Sequence, residues 1–342
     1  MTDPVGSEPL HHPLGRRRFM VAVGGGLLAT PLTAQTQEAG RVYRLGILTP
    51  GVCSAGSTPT AASVLPLVLR EMRYIEGQNL TIERRCAEGK VDRLPALVQE
   101  LIQLRLDTLF APSPVAVQTV KEATGTIPVV MLLAYSDPVE LGFVASFGRP
   151  GSNITGVVLA AEPTMAGKRL ELIKEAIPRA ARIAILATSE PSSRMQVHWA
   201  NKVAPSLGVK LTVVEVAEAD YDRAFTMMVR ERADALTVVD SVLLSTDLTQ
   251  IIRLAAKHRL PTIYDWREQV EAGGLMAYGG SISGTTRRIA VYIDRIFKGA
   301  KPAELPVERA TVFELAINLK TAKALGLTIP PSLLARADQV IE

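Results

Sequence analysis

Residues 108–133 read TLFAPSPVAVQTVKEATGTIPVVMLL, and the order of residue types within them decides the fold. Thr108–Ala111 is a short apolar run closed by Pro112, the mark of a buried strand. Ser113-Pro114 follows, a side-chain cap and a proline at the first helical position, and predicts a helix over Pro114–Glu122. Pro128–Leu133 is a second apolar run. Strand, helix and strand in so short a span make the unit of a parallel sheet covered by helices.

The alternation extends in both directions. Upstream lie strands over Tyr43–Thr49 and Leu80–Arg85 and a helix over Pro59–Ile75. Leu94, Leu97, Val98, Leu101 and Ile102 recur at helical spacing, which gives another core-facing helix. After the turn-rich stretch Gly151–Gly156 a second series begins. Its strands are Arg182–Ala187, Lys210–Val216, Ala235–Val239, Thr262–Tyr264 and Gly274–Tyr278. Helices over Glu162–Ala176, Ser193–Leu207, Tyr221–Arg232 and Thr246–His258 separate them. A long helix then presents Ile289, Ile293, Ile296 and Phe297 on one face, and a strand over Thr311–Ile317 comes last.

The expected class is α/β, with two doubly wound parallel-sheet lobes joined by a multi-strand hinge. The N-terminal lobe is expected over 41–154 plus 279–309 and the C-terminal lobe over 155–278 plus 310–342. The chain would cross between lobes three times, which makes a stiff hinge.

Composition agrees with two compact lobes: 342 residues, 47% hydrophobic and 21% charged, where one core rarely outgrows roughly 250–300 residues. The net charge of +4 is small and its lysines and arginines are scattered, so no nucleic-acid face is expected. Near the start, Arg16-Arg17-Arg18-Phe19-Met20 precedes an apolar stretch from Val21 to Leu32, and Leu32-Thr33-Ala34 offers a small-residue processing site. That pattern is an export signal over 1–34, twin-arginine-like, cleaved near Ala34 into the periplasm. The apolar stretch is shorter than the ~20 residues that span a bilayer. General secretory export is the other route.

Past residue 34 two cysteines remain, Cys53 and Cys86, each just after a predicted strand. If those strands are parallel neighbours, both thiols emerge at one sheet edge, and a bridge needs Cα atoms about 4.4–6.8 Å apart. Two separate free thiols are the alternative.

Enzymatic signatures are missing: no phosphate loop, nucleophile elbow or zinc-helix motif occurs. His198 and His258 each sit alone on an amphipathic helix. No catalytic residue, metal ligand or cofactor is expected. Capped helix starts are the more informative pattern: Thr58-Pro59, Ser113-Pro114, Asp137-Pro138 and Glu190-Pro191 each follow a strand. Helix N-termini expose free N–H groups and partial positive charge, and in doubly wound sheets they gather at the strand ends where ligands bind. Such a cleft suits a carboxylate, although each start alone is an ordinary cap. Aromatic residues are only 5% of the chain, so Tyr135 and Tyr264-Asp265-Trp266, at strand ends, suit stacking on a flat solute. Asp240, after the strand Ala235–Val239, suits an ammonium group.

Four stretches carry a family resemblance. They are DPVELGFVASFGRPGSNITGV (137–157), AGKRLELIKEA (166–176), PTIYDWREQVEAGGLMAY (261–278) and the segment 297–341. The sequence resembles the ABC transporter substrate-binding family that includes tryptophan- and tyrosine-binding lipoproteins, with the type-I periplasmic-binding-protein fold. The resemblance covers nearly all of residues 41–342. It implies capture of a small solute, such as an amino acid or small aromatic carboxylate, between two lobes by hinge closure, and delivery by a monomer to an ABC permease in the inner membrane. The pocket residues it implies are Thr49, Ser54, Pro112, Ser113, Tyr135, Asp137, Thr188, Ser189, Asp240, Tyr264, Asp265 and Glu268. Within them, Tyr135 and Tyr264 would flank an apolar moiety, Ser113 would hold a carboxylate, and Asp240 or Asp137 an amine. Cys86 stands where similar sequences carry tryptophan, and the loop Gly51–Ser54 also departs from the family pattern. Paired departures at adjacent strand ends favour the bridge and reshape the rim. Other readings are a ligand-presenting sensory protein on a membrane receptor, the effector lobes of a transcription regulator, and a secreted α/β enzyme.

Overall fold

Apolar runs such as Val129–Leu133 can form strands only where helices cover both of their faces. A computed structural model describes residues 40–53, 59–159, 164–217, 219–310 and 313–342. The expected leader and Ser54 lie outside them. In chain order, β1 (Tyr43–Thr49), α1 (Ala61–Glu71), β2 (Leu80–Cys86), α2 (Leu94–Ile102), β3 (Thr108–Ala111), α3 (Pro114–Ala123), β4 (Val129–Ala134) and β5 (Ile154–Leu159) make the first series. The second is α4 (Thr164–Ala176), β6 (Arg182–Ala187), α5 (Pro191–Val203), β7 (Lys210–Glu215), α6 (Tyr221–Arg230), β8 (Ala235–Val238), α7 (Val242–Thr246), α8 (Leu248–Lys257), β9 (Thr262–Tyr264), α9 (Arg267–Glu271) and β10 (Met276–Gly279). Then come α10 (Ile282–Phe297), β11 (Glu308–Ala310), β12 (Glu314–Asn318), α11 (Leu319–Leu325), α12 (Pro331–Leu334) and β13 (Gln339–Ile341).

The strands form two sheets, ordered β11-β5-β4-β3-β1-β2 and β13-β12-β10-β9-β8-β6-β7. All pairings are parallel except that of β12 with β10. Both sheets share one winding: the chain starts inside, pairs outward once, then turns back, so its direction reverses between β1 and β3 and again between β6 and β8. The fold is therefore α/β with two doubly wound lobes.

Each sheet is buried on both faces. In the first lobe Leu45, Phe110, Val130 and Val157 pack under α1 and α10, while Leu48, Leu109 and Met131 meet Leu94, Val98 and Val117 of α2 and α3. Helix α10 follows a strand of the second sheet and yet buries Ile289, Ile293 and Phe297 in the first lobe. Burying each such side chain contributes roughly 1.5–3 kcal/mol. Gly156 in β5 has φ +145°, and a Cβ there would lie 2.1 Å from the Met131 carbonyl oxygen. Only glycine lets β4 pair so closely.

The structure corrects several expectations. Residues 155–159, expected in the C-terminal lobe, belong to β5, which pairs with β4 along its whole length. The crossing therefore lies beyond Leu159, because Ile154, Val157 and Val158 are apolar enough to be sheet core. The expected helix over Thr246–His258 is α8, Leu248–Lys257, but a further short helix, α7, precedes it, with Ser241 capping it through the Leu244 N–H. Asp137-Pro138 begins a turn, not a helix: Asp137 Oδ1 accepts from the Val139 N–H at 2.7 Å, a local bond that competes with helix formation. Helix α1 is capped by Thr60: the Thr60 and Ser63 hydroxyls each accept from the other's N–H, and the expected cap Thr58 lies outside the described residues. The last expected strand, Thr311–Ile317, is β12, Glu314–Asn318.

Candidate functional site

The two reversals bring the carboxyl ends of β1 and β3, and of β6 and β8, to crevices where doubly wound sheets bind ligands. In the first lobe this places Thr49, Pro112 and Ser113 together. Ser113 is buried with extended backbone, and its Oγ accepts from the Ala116 N–H at 3.3 Å to cap α3. Thr49 Oγ1 accepts from the Gly51 N–H at 3.2 Å. The loop after β1 is fixed to the loop after β2: Ala87, Glu88 and Gly89 donate N–H bonds to Thr49, Gly51 and Pro50 carbonyls at 3.0, 2.9 and 2.8 Å. A Cys53–Cys86 disulfide, Cα atoms 5.4 Å apart, closes the same edge. Parallel pairing of Thr49 with Cys86 is what brings the sulfurs within reach. Beside the bridge is a recess of about 140 Å³ lined by Ile47, Thr49, Cys53, Pro66, Arg84 and Cys86. It is smaller than a typical solute pocket of ~300 Å³ or more, and so forms a side recess.

The second lobe presents charge instead. Arg169 on α4 is 1% exposed. Its guanidinium lies 2.8 Å from Asp265 Oδ1, at the end of β9, and donates to the Gln196 Oε1 of α5 at 3.1 Å. Gln196 in turn holds the loop after β8: its Oε1 takes the Asp240 N–H at 3.3 Å and its Nε2 gives to the Asp240 carbonyl at 3.1 Å. The Asp240 carboxylate accepts from Trp266 Nε1 at 3.0 Å. Gln269 Oε1 fixes that turn by accepting from the Asp265 and Trp266 N–H groups. Gly279 is needed beside it, since a Cβ there would lie 1.8 Å from the Asp265 carbonyl oxygen.

Charges in this wall are perturbed in one direction. Burial pushes the Asp265 carboxyl up to about 7, against the pull of Arg169 and with repulsion from Asp240. Burial likewise raises Asp240, opposed by the Trp266 hydrogen bond and by Arg169, and raises Glu190. Arg169 stays cationic, because Asp265 and Tyr135 beside it outweigh the burial that works against its charge. Asp240 lies deep among protein atoms and still keeps part of its surface open.

The lobes meet around these groups. Tyr135, after β4 of the first lobe, is buried and has φ +52°; its hydroxyl oxygen accepts from Arg169 at 2.9 Å. Tyr135 and Met165 pack with Ala134, Tyr278 and Phe313, drawn from both lobes. Trp266 packs against the first-lobe core. A Cβ added to Gly51 would lie 4.0 Å from Thr246 Oγ1 of α7, so the disulfide-fixed loop reaches the opposite lobe.

Among the residues named from sequence, the structure brings Thr49, Pro112 and Ser113 to one crevice and Thr188, Ser189 and Asp240 to the other. Thr188 is buried with its N–H on Ser193 Oγ at 2.9 Å, and Ser189 is exposed. Three expectations need correction. Tyr264, expected to flank the solute, is 1% exposed with its ring in the second-lobe core, where a Cβ on Gly274 would come within 2.7 Å of it. Glu268 is 3% exposed and caps α10, accepting from the Ile282 and Ser283 N–H groups at 3.0 and 3.4 Å. Asp137 spends its carboxylate on its own turn. Arg169 and Gln196 were missed. Arg169 stands on the buried stripe of α4, with Met165, Ala166, Leu170 and Ile173; a charge at helical spacing inside an apolar face was the available signal.

Two doubly wound lobes facing each other across paired strand ends define a two-lobed binding protein. The chain belongs to the family of ABC transporter substrate binding proteins, which it matches over residues 61–341. A tyrosine-binding protein of Clostridioides difficile is 25% identical over 261 residues, 76% of this chain and 74% of that one. A Streptococcus pneumoniae ABC domain solved in complex with L-Trp shares 26% identity with a TM-score of 0.76, covering 88% of this chain and all of that one. A conserved domain protein from Vibrio cholerae O1 biovar El Tor has a TM-score of 0.77 at 23% identity, with the same coverage. Among the described residues no helix is long and apolar enough to cross a membrane, and none of their His, Cys, Asp and Glu side chains gather into a metal site.

Proposed function

We propose that this chain is an extracytoplasmic receptor that captures an amino acid or a small aromatic carboxylate between its lobes and delivers it, as a monomer, to the permease of an ABC importer. Export through the twin-arginine-like leader fits that role, and no covalent chemistry is required of the cleft. The observation that carries the reading is Asp240: a partly exposed residue whose carboxylate, raised by burial, is hydrogen-bonded to the indole of Trp266 at the reversal point of the second sheet. An ammonium group finds its counter-charge there and a flat ring finds Trp266. Across the cleft, the N-terminus of α3, capped by Ser113, offers N–H groups and partial positive charge to a carboxylate. The names of the Clostridioides difficile relative and of the L-Trp complex support a solute with these three features.

The test is a thermal-shift screen of the exported chain against the amino acids, aromatic acids and small carboxylates, followed by calorimetry. A true solute at 100 times its Kd adds about 2.7 kcal/mol to stability, and D240N should lose most of that gain. A solute that binds the D240N protein as well as the parent would remove Asp240 from the site.

A further inference from the structure

Buried charge inside a protein is costly unless every polar atom around it is satisfied. The cluster at the cleft floor does not meet that condition. Asp265 is 2% exposed; Arg169 approaches it at 2.8 Å, and the Tyr135 hydroxyl and the Asp240 backbone reach its carboxylate without the alignment of a good hydrogen bond. Tyr135 adds a second cost, since a left-handed backbone is unfavourable for a bulky residue. An apolar junction of the same size would hold the lobes together at least as well.

What the arrangement does supply is a continuous connection. It runs from Tyr135 of the first lobe to Arg169, on to Gln196, to the backbone on both sides of Asp240, and through its carboxylate to Trp266, whose ring rests on the first lobe again. Arg169 is the member that hydrogen-bonds from one lobe to the other. Its planar guanidinium gives one donor to Tyr135 and another to Gln196, a division a lysine could not reproduce.

We propose that Arg169 is the positioning residue of the cleft: it sets Asp240 and Trp266 in binding geometry only while Tyr135 of the opposite lobe is engaged, which ties solute recognition to closure. This rests on the receptor reading above. Opening the lobes withdraws the Tyr135 hydroxyl, leaves that arm of Arg169 to Asp265 and the Tyr278 carbonyl alone, and loosens Gln196 and the Asp240 loop. Solute and closure are thereby coupled through groups that need not touch the solute.

The test uses a W199F background, which leaves Trp266 as the one tryptophan of the chain. Y135F removes the hydroxyl and keeps the ring; Q196M cuts the connection below Arg169 and keeps the contact between lobes. Without solute, Y135F is expected to enlarge the radius of gyration in X-ray scattering and to shift Trp266 emission to the red. Q196M should shift the emission with the radius of gyration unchanged. With L-tyrosine as the calorimetric probe, both should weaken binding about tenfold, the effect of one lost buried hydrogen bond. Parental scattering and emission in both variants would overturn the positioning role. Should L-tyrosine fail to bind the parent protein, the solute reading fails alone, and scattering and emission still decide on Arg169.

Discussion

The two crevices have the same topology and opposite chemistry. At the first, Ser113 caps a helix, Thr49 closes its own turn, and backbone bonds with a disulfide fix the lip, with Arg84 beside the bridge. At the second, one guanidinium faces two carboxylates, one of which has no aligned hydrogen bond. A repeated winding therefore does not repeat a function. The first lobe offers a lip fixed by backbone bonds and a disulfide, and the second carries the buried charges. Perturbing each side should give distinguishable results.

The largest effect is expected at Arg169. R169M leaves Asp265 and Asp240 without their cation and should cost about 3–5 kcal/mol of stability in urea unfolding. Adding D265L removes one stranded charge and should recover much of that loss; no recovery would mean that packing, not charge, sets the cost. Next comes the first-lobe lip. Removing the bridge with C53S and C86S together should cost about 2–4 kcal/mol, and in calorimetry it should weaken solute binding because the Gly51 loop loses its tether.

How far this contrast was readable from sequence follows from what each feature depends on. Strands such as Thr108–Ala111 and the cap at Ser113-Pro114 depend on neighbours in the chain, and the structure has them where local patterning predicts. The Cys53–Cys86 pair needed only that β1 and β2 be parallel neighbours. The start of the second lobe is not legible in sequence because Gly156 reads as a turn residue, whereas its role is to let β4 approach. Tyr264 is ambiguous for a related reason: strand-end position says which end of the sheet a residue occupies, and only packing against Gly274 says which way the ring points. The charge of Arg169 within the apolar stripe of α4 is a local signal that it is buried and paired, but its partners lie 27 to 109 residues away, so local pattern alone does not say with what.

A smaller effect concerns pH. In the unfolded chain Asp265 should titrate near the usual aspartate value of ~3.9, and in the folded protein at about 7. Between those values the folded state holds a proton that the unfolded state has released. Its contribution to stability is full below the lower value and is lost as pH rises through the upper one. Stability measured from pH 4 to 8 should therefore decline across that window, more steeply in the parent than in D265N, whose amide stands for the protonated acid. Equal slopes would place the proton elsewhere, with Asp240 and Glu190 the other raised carboxyls of the same wall.

The smallest expected effect sharpens the contrast from the neutral side. Ser113 Oγ accepts the Ala116 N–H in a buried setting, so S113A should cost about 1 kcal/mol, the usual value of an N-cap. No charge moves with that hydroxyl. The loss should consequently be flat from pH 4 to 8, unlike the change produced by D265N. A loss that instead grows as the acid wall ionises would show the two crevices to be electrostatically linked across the cleft. In that case the division into a rigid lobe and a charged one would have to be abandoned, because the helix end at Ser113 would be sensing the carboxylates it faces.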